Sequence, residues 1–181
     1  MQEIIQKIQK GDKNAFRVLV EKYQQQAFNL AFRMLGDEDE ARDVVQDSFI
    51  RIWEKFNTYN DKEKFTSWMY KIVSNRAIDS IRALKRRPVI SLEKLIPDTL
   101  RAEESGVDII LENREAGELI RAITRELPEK QQLVFTLRDL HGLSSQEVQN
   151  ISGMTETVIK SNLYHARKII RERLTATLTF E

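Results

Sequence analysis

The stretch SSQEVQNISGMTETVIKSNLYHARKIIRERL, residues 144–174, decides how the chain is read. Ser144-Ser145-Gln146-Glu147 is a capping-box pattern, and it starts a short helix through Val148 and Ile151. Gly153-Met154 makes a turn, and Thr155 caps a second helix running to about Leu174. Val148, Ile151, Met154, Ile159 and Leu163 are spaced to form one shared core. Two helices joined by a short Gly-containing turn can place the second in a DNA major groove. Thr155, Glu156, Thr157, Lys160 and Ser161 then face outward at its N-terminal end, where base edges are read. Arg167, Lys168 and Arg171 lie further along and suit phosphates. A helical hairpin with a solvated basic face has the same spacing, so this stretch alone leaves both readings open.

Working back from it, Pro128 sits at a good N1 position for a helix to about His141, with Leu133, Val134, Leu137 and Leu140 on one face and Gly142 at the stop. A helix through 113–125 precedes it. Residues 89–112 mix Pro97, Gly106, acids and scattered apolar residues, and read as a linker. Nearer the N-terminus, Ile4, Ile5 and Ile8 make a short amphipathic helix ending at Gly11. Asp12 caps a long helix to Leu35, which stops at Gly36. Asp37-Glu38-Asp39-Glu40 gives D-x-x-E, a capping-box-like start, and its acids suit a helix N-terminus. That helix runs to about Phe56. NTYNDKE is a polar turn, and a last helix stops before Pro88. No strand alternation appears. The expectation is an all-α chain of two helical domains: 1–88, a flexible acidic linker 89–112, and 113–181 containing the helix–turn–helix.

A formal net charge of +1 hides a strong pattern. Residues 36–63 hold nine acids against four bases, and 91–129 hold ten against five. Residues 64–88 hold seven bases and one acid, and 160–173 five bases and one acid. The basic blocks suit a polyanion and the acidic ones a basic protein surface. In KFTSWMYKIVSNRAIDSIRALKRRP, residues 64–88, Lys71, Asn75, Asp79, Arg82 and Arg86 share one helical stripe. Met69, Val73, Ala77, Ile81 and Leu84 form a second stripe, fit for a core. Duplex binding needs only cations. Phe65 and Trp68 beside them suggest unstacked bases, each base–aromatic stack contributing about 1–3 kcal/mol. Equally, these rings fit a core with the cations as its solvated face.

In DEDEARDVVQDSFIRIWEKF, Asp43 and Asp47 share a face with Gln46 beside it, and Phe49 and Trp53 are also four apart. Such a helix can dock on a partner helix pair through aromatics and acids. A metal site is disfavoured, because most of these carboxylates sit at a helix start, where capping explains them. With no cysteine, disulfides, thiolate nucleophiles and Cys-based zinc sites are excluded. His141 and His165 lack metal-ligand spacing, and no phosphate-binding loop or nucleophile elbow appears. The reading therefore includes no catalytic residue, metal, cofactor or small-molecule substrate. No apolar run approaches the roughly 18 residues needed to cross a bilayer, so a cytoplasmic protein is expected.

Together these stretches resemble bacterial RNA polymerase sigma factors of the extracytoplasmic-function class, over about residues 10–88 and 118–175. DEDEARDVVQDSFIRIWEKF is similar to the family's polymerase-binding helix. FTSWMYKIVSNRAIDSIR is similar to its promoter-melting segment, with the N-x-x-x-D-x-x-R pattern at Asn75, Asp79 and Arg82. ELPEKQQLVFTLRDLHGLSSQEV and the basic helix after it resemble its fourth conserved region. The resemblance implies that Asp43, Gln46, Asp47, Phe49, Ile50 and Trp53 dock on the beta-prime clamp of core RNA polymerase, and that Leu133 and Leu137 meet its beta flap. It implies that Tyr59, Lys64, Phe65, Trp68, Lys71, Asn75, Arg76, Asp79, Arg82 and Arg86 engage the minus-ten element. Thr155, Glu156, Thr157, Lys160, Ser161, Asn162, His165, Arg167 and Lys168 are implied to read the minus-thirty-five element of promoter DNA. An anti-sigma factor is a further implied partner. The chain departs from the family at Asn162, where Arg is common, and at Tyr164-His165, where a His-Arg pair is common. The competing reading is a conventional helix–turn–helix regulator that dimerises on a palindrome without polymerase.

Overall fold

The structure, a computed structural model, describes residues 2–60, 64–86 and 107–178. All regular structure among them is helical. Four helices form the N-terminal unit: α1 (Gln2–Gln9), α2 (Lys13–Leu35), α3 (Glu38–Lys55) and α4 (Phe65–Arg86). Four form the C-terminal unit: α5 (Val107–Glu126), α6 (Glu129–Phe135, prolonged by a π-helical turn, Thr136–Leu140), α7 (Ser145–Ser152) and α8 (Glu156–Leu178). Residues 89–106 of the expected linker lie outside the described residues. From Val107 the chain is already helical, six residues before the expected start.

The starts and stops follow from local chemistry. Asp12 Oδ1 accepts from the backbone N–H of Asn14 at 2.9 Å and of Ala15 at 3.1 Å. Gly36 ends α2 in the left-handed region, at φ 73°, and its N–H donates to Phe32 O at 2.8 Å. Asp37 Oδ1 accepts from Glu40 N at 2.9 Å, but the box at this helix is half-made. The Glu40 carboxylate instead accepts from Ser80 Oγ at 2.9 Å, tying α3 to α4. At Ser144 the box is complete. Pro128 is the N-cap of α6 rather than N1: its ψ of 141° is extended, and its carbonyl accepts from Gln132 N at 2.9 Å.

In the N-terminal unit, α2, α3 and α4 pack mutually, with α1 against α2. Leu19, Leu30, Met34, Ile52, Met69, Val73 and Ala77 are sealed at its centre. Leu84 is not part of that core: it is 39% exposed, because α4 has outrun its partners there. Rings fasten the α3–α4 turn. Phe56 meets Trp68 edge-on at 6.0 Å, Tyr59 lies 5.1 Å from Trp68, and Phe65 lies 4.9 Å from Tyr23. Each such pair adds about 0.5–1.5 kcal/mol beyond the area it buries.

In the C-terminal unit, α8 lies against α5, α6 and α7. Of the expected shared core, Val148, Ile151, Ile159 and Leu163 are buried and Met154 only partly so, and Leu127, Val134, Leu137 and Ala166 join them. The two units touch along α4–α7, α2–α5 and the π-helical turn. Gln132 Nε2 donates to Met34 O at 2.7 Å, Arg33 donates to Leu140 O, and the His141 ring meets Tyr70 at 5.7 Å.

Candidate nucleic-acid interface

On α4 the polar stripe Lys71, Asn75, Asp79, Arg82 and Arg86 is exposed along its whole length, and Lys64 lies exposed just before it. The opposite side of the helix is buried, so packing fixes the direction in which the stripe points. Arg76 lies off this stripe. It is half-buried and pairs with Asp47 of α3, so its charge is already matched inside the unit. Tyr59 and Phe65 are 6% and 5% exposed. They belong to the aromatic core and meet no base in this conformation, because the α3–α4 turn needs them as filling. Trp68 is partly exposed at the edge of the same cluster.

On α3, Asp43, Gln46, Asp47 and Ile50 form an exposed ridge. Ile50 is half exposed, an apolar side chain among acids. Phe49 is buried and Trp53 half-buried: Phe49 faces the unit's interior, and Trp53 lies 5.0 Å from Phe16. Leu133 and Leu137, the expected flap contacts, are 3% and 0% exposed and form part of the C-terminal core. The helical spacing that put them on one apolar face is the signature of their burial.

On α8, Thr155, Glu156, Thr157, Lys160, Ser161, His165, Arg167 and Lys168 are exposed, and Asn162 is partly so. Several of them have neighbours, Lys168 among them with Glu172 at 3.8 Å. Lys160 Nζ lies 2.7 Å from Glu156, and Asn162 Nδ2 donates to Val158 O at 2.8 Å. Arg167 grips Asp139 with two bonds of 2.7 Å, which hold its guanidinium in the charged form. The sequence reading missed Tyr164 as a surface feature. It is 66% exposed on the outer ridge with Thr157, Ser161 and Lys168, a position its spacing from them signals.

Electrostatics divide the faces further. Glu147 is held well below the usual carboxylate range, at about 2, by the Ser144 N–H, Lys64 and the Ser144 hydroxyl. The hydrogen bond from Arg82 lowers Glu129. Burial, and then the Arg33 charge, push His141 down to about 4, so it is neutral at pH 7. Among the described residues no group of three or more His, Asp or Glu could hold a metal ion. No helix among them is long and apolar enough to cross a membrane.

Two helical modules, each with one basic helix on a closed apolar scaffold, define the class of fold. Comparison makes the class specific. The sigma-70 region 2 model matches residues 19–87, and the sigma-70 region 4 model matches residues 117–170. The chain belongs to the sigma-70 family of RNA polymerase sigma factors, in its extracytoplasmic-function (ECF) branch. It is 28% identical to the ECF RNA polymerase sigma factor SigW of Bacillus subtilis, covering 94% of each chain. It is 29% identical to the ECF sigma-E factor of Salmonella typhimurium, over 96% of this chain and 93% of that one. Its fold is shared with CnrH, solved in complex with the cytosolic domain of CnrY, at a TM-score of 0.67, 21% identity and 96% coverage of both chains.

Proposed function

We propose that this chain is an initiation factor that binds core RNA polymerase, directs it to specific promoters and opens the minus-ten element. The observation that carries the reading is the pairing of faces on one rigid unit. An acidic ridge with one exposed apolar residue, Ile50, lies on α3, and a cationic stripe lies on α4. A chain so built can be clamped to a protein by one helix while the next meets DNA.

The exposed faces support the following division of labour. Asp43, Gln46, Asp47 and Ile50 dock on polymerase. Lys64, Lys71, Arg82 and Arg86 hold the backbone of the opened strand, with Asn75, Asp79 and the exposed part of Trp68 offered to bases. Unstacking a base costs a few kcal/mol, comparable to what one or two stacking contacts return, so binding free energy alone suffices for opening. The exposed N-terminal half of α8 reads the upstream duplex. Domain limits near residues 88 and 113, a cytoplasmic site of action and control by an anti-sigma factor belong to the same proposal.

The test is run-off transcription with core polymerase on a genomic DNA library, followed by start-site mapping. Discrete new starts that depend on the chain are expected. Ile50→Ala and Asp43→Ala should each weaken core polymerase binding about tenfold, the worth of one good contact, with the circular dichroism spectrum unchanged. A chain that leaves core polymerase without new starts refutes the reading.

A further inference from the structure

Among the described residues, Asp47 is the one polar member of the α3 ridge whose side chain has a partner; none is found for Asp43 or Gln46. The bond runs from Arg76 Nη2 on α4 to Asp47 Oδ2. Asp47 Oδ1 has no partner among the described residues, and the side chain is half exposed. The Arg76 side chain is 25% exposed, and its Nε is buried without a hydrogen-bond partner among them. One turn further along α4, Ser80 donates to Glu40 of α3 at 2.9 Å. Residues 40, 43 and 47 share one face of α3, so two ties from α4 flank Asp43.

Such an ion pair does little for stability, and α3 and α4 are already packed on each other through buried apolar faces. What the pair does is fix a rotamer. An Asp on an exposed ridge gives up side-chain freedom when a partner binds it, and one already held has none to lose. Because only Oδ2 is engaged, Oδ1 keeps its lone pairs for a donor arriving from outside. Arg76 makes no such offer to a DNA strand: it lies off the stripe of Lys71, Arg82 and Arg86, and its charge is matched by Asp47.

We propose that Arg76 is a positioning residue for the polymerase face and not a promoter contact: it holds the Asp47 carboxylate by one oxygen and presents the other to a cationic or N–H donor on the polymerase. The proposal rests on the reading of the α3 ridge as the docking face.

The test titrates core RNA polymerase into the full chain, labelled with fluorescein at its N-terminus. Arg76→Met keeps an apolar stem and removes the bond. It should weaken core binding about fivefold, the scale of one side chain's released rotamers, with the urea midpoint little changed. Asp47→Ala should weaken core binding about tenfold, and adding Arg76→Met to it should weaken it no further. A damaged fold would lower affinity in both backgrounds, so this cycle separates positioning from packing. Equal losses in the two backgrounds, no loss in either, or tighter binding by Arg76→Met each overturn the proposal. A second readout is the salt dependence of binding to a mixed-sequence single-stranded DNA by the free chain. Arg76→Met should leave the slope unchanged, and a fall of about 0.7 would make Arg76 a phosphate contact and overturn the proposal. Asp43→Ala and Ile50→Ala read the docking face itself. If they weaken core binding while Arg76→Met does not, the positioning role falls and the initiation reading stands. If none of the three weakens it, the docking face falls with it.

Discussion

Helices α4 and α8 are the two basic helices of this molecule, and they find their counter-charges in different places. The fixed partners of α8 are its own: Lys160 pairs with Glu156 one turn away, and Arg167 with Asp139 in the same unit. On α4, Arg82 reaches into the other unit to Glu129, as Lys64 just before the helix does to Glu147, while Arg76 pairs with Asp47 in its own unit. Local pairs orient a reading surface and leave it open. Distant pairs tie a helix to the other unit. Similar residue types therefore pair within one unit on α8, and partly across the two units on and beside α4.

The comparison assumes equally rigid platforms beneath the two helices, and core truncation tests this with the largest expected effects. Ile52 and Ile159 are 0% and 1% exposed. Ile52→Ala under α4 and Ile159→Ala in α8 should each lose about 2–5 kcal/mol in urea unfolding. A much smaller loss for one would mark its platform as soft and its face as poorly aimed. Ser144→Ala is the next effect down. It removes the N-cap of α7 and should cost about 0.5–2 kcal/mol. It also removes the hydroxyl's bond to the Glu147 carboxylate, while the backbone N–H of residue 144 still donates to it. Its stability loss should therefore come with only a partial loss of Lys64 engagement, read from the Lys64 ammonium resonance.

Much of this was legible in the residues, for reasons that differ by element. The helix–turn–helix was readable because its signals are local: a box at Ser144, a left-handed Gly153 and apolar spacing from Val148 to Leu163. The stripe on α4 was readable because helical periodicity fixes which side chains share a side. Burial of individual rings was not. Phe65 and Trp68 sit three apart with equal claims on core and solvent, and only packing against Tyr23 and Phe56 separates them. Leu133 and Leu137 show the converse, since an apolar face announces contact without saying with what. The Lys64–Glu147 and Arg82–Glu129 pairs were invisible because they join residues 83 and 47 apart in the chain, and nothing local marks Glu129 or Glu147 as partners of these cations.

Acid should separate the two helices next. His141 is half-buried against Tyr70 of α4 and faces the Arg33 charge of α2. Its value of about 4 lies below the ordinary 6.5, so the opened or unfolded chain binds the proton first. The contact is therefore at full strength above pH 6.5 and weakens as pH falls toward 4. Glu147 acts in the same direction at lower pH: its contribution is full above about 4.5 and is lost on approach to 2. Hydrogen exchange should show the α4–α7 contact losing protection between pH 6.5 and 4, while α8 stays protected against α5 and α6. Equal loss in both would mean global unfolding rather than separation of the two units.

The smallest effect is the most specific. Each phosphate contact that a cation makes contributes about one unit to the slope of log affinity against log salt. Lys168 is on the open face of α8, so Lys168→Ala should lower that slope for duplex DNA by about 1 in the chain as it stands. Lys71 lines the cleft between α4 and α7. Lys71 is exposed, so Lys71→Ala should lower the slope for single-stranded DNA by about 0.7. If Lys71→Ala leaves that slope unchanged while Lys168→Ala lowers the duplex slope, the cleft wall is not part of the strand's path, and the stripe that binds it is confined to the C-terminal half of α4.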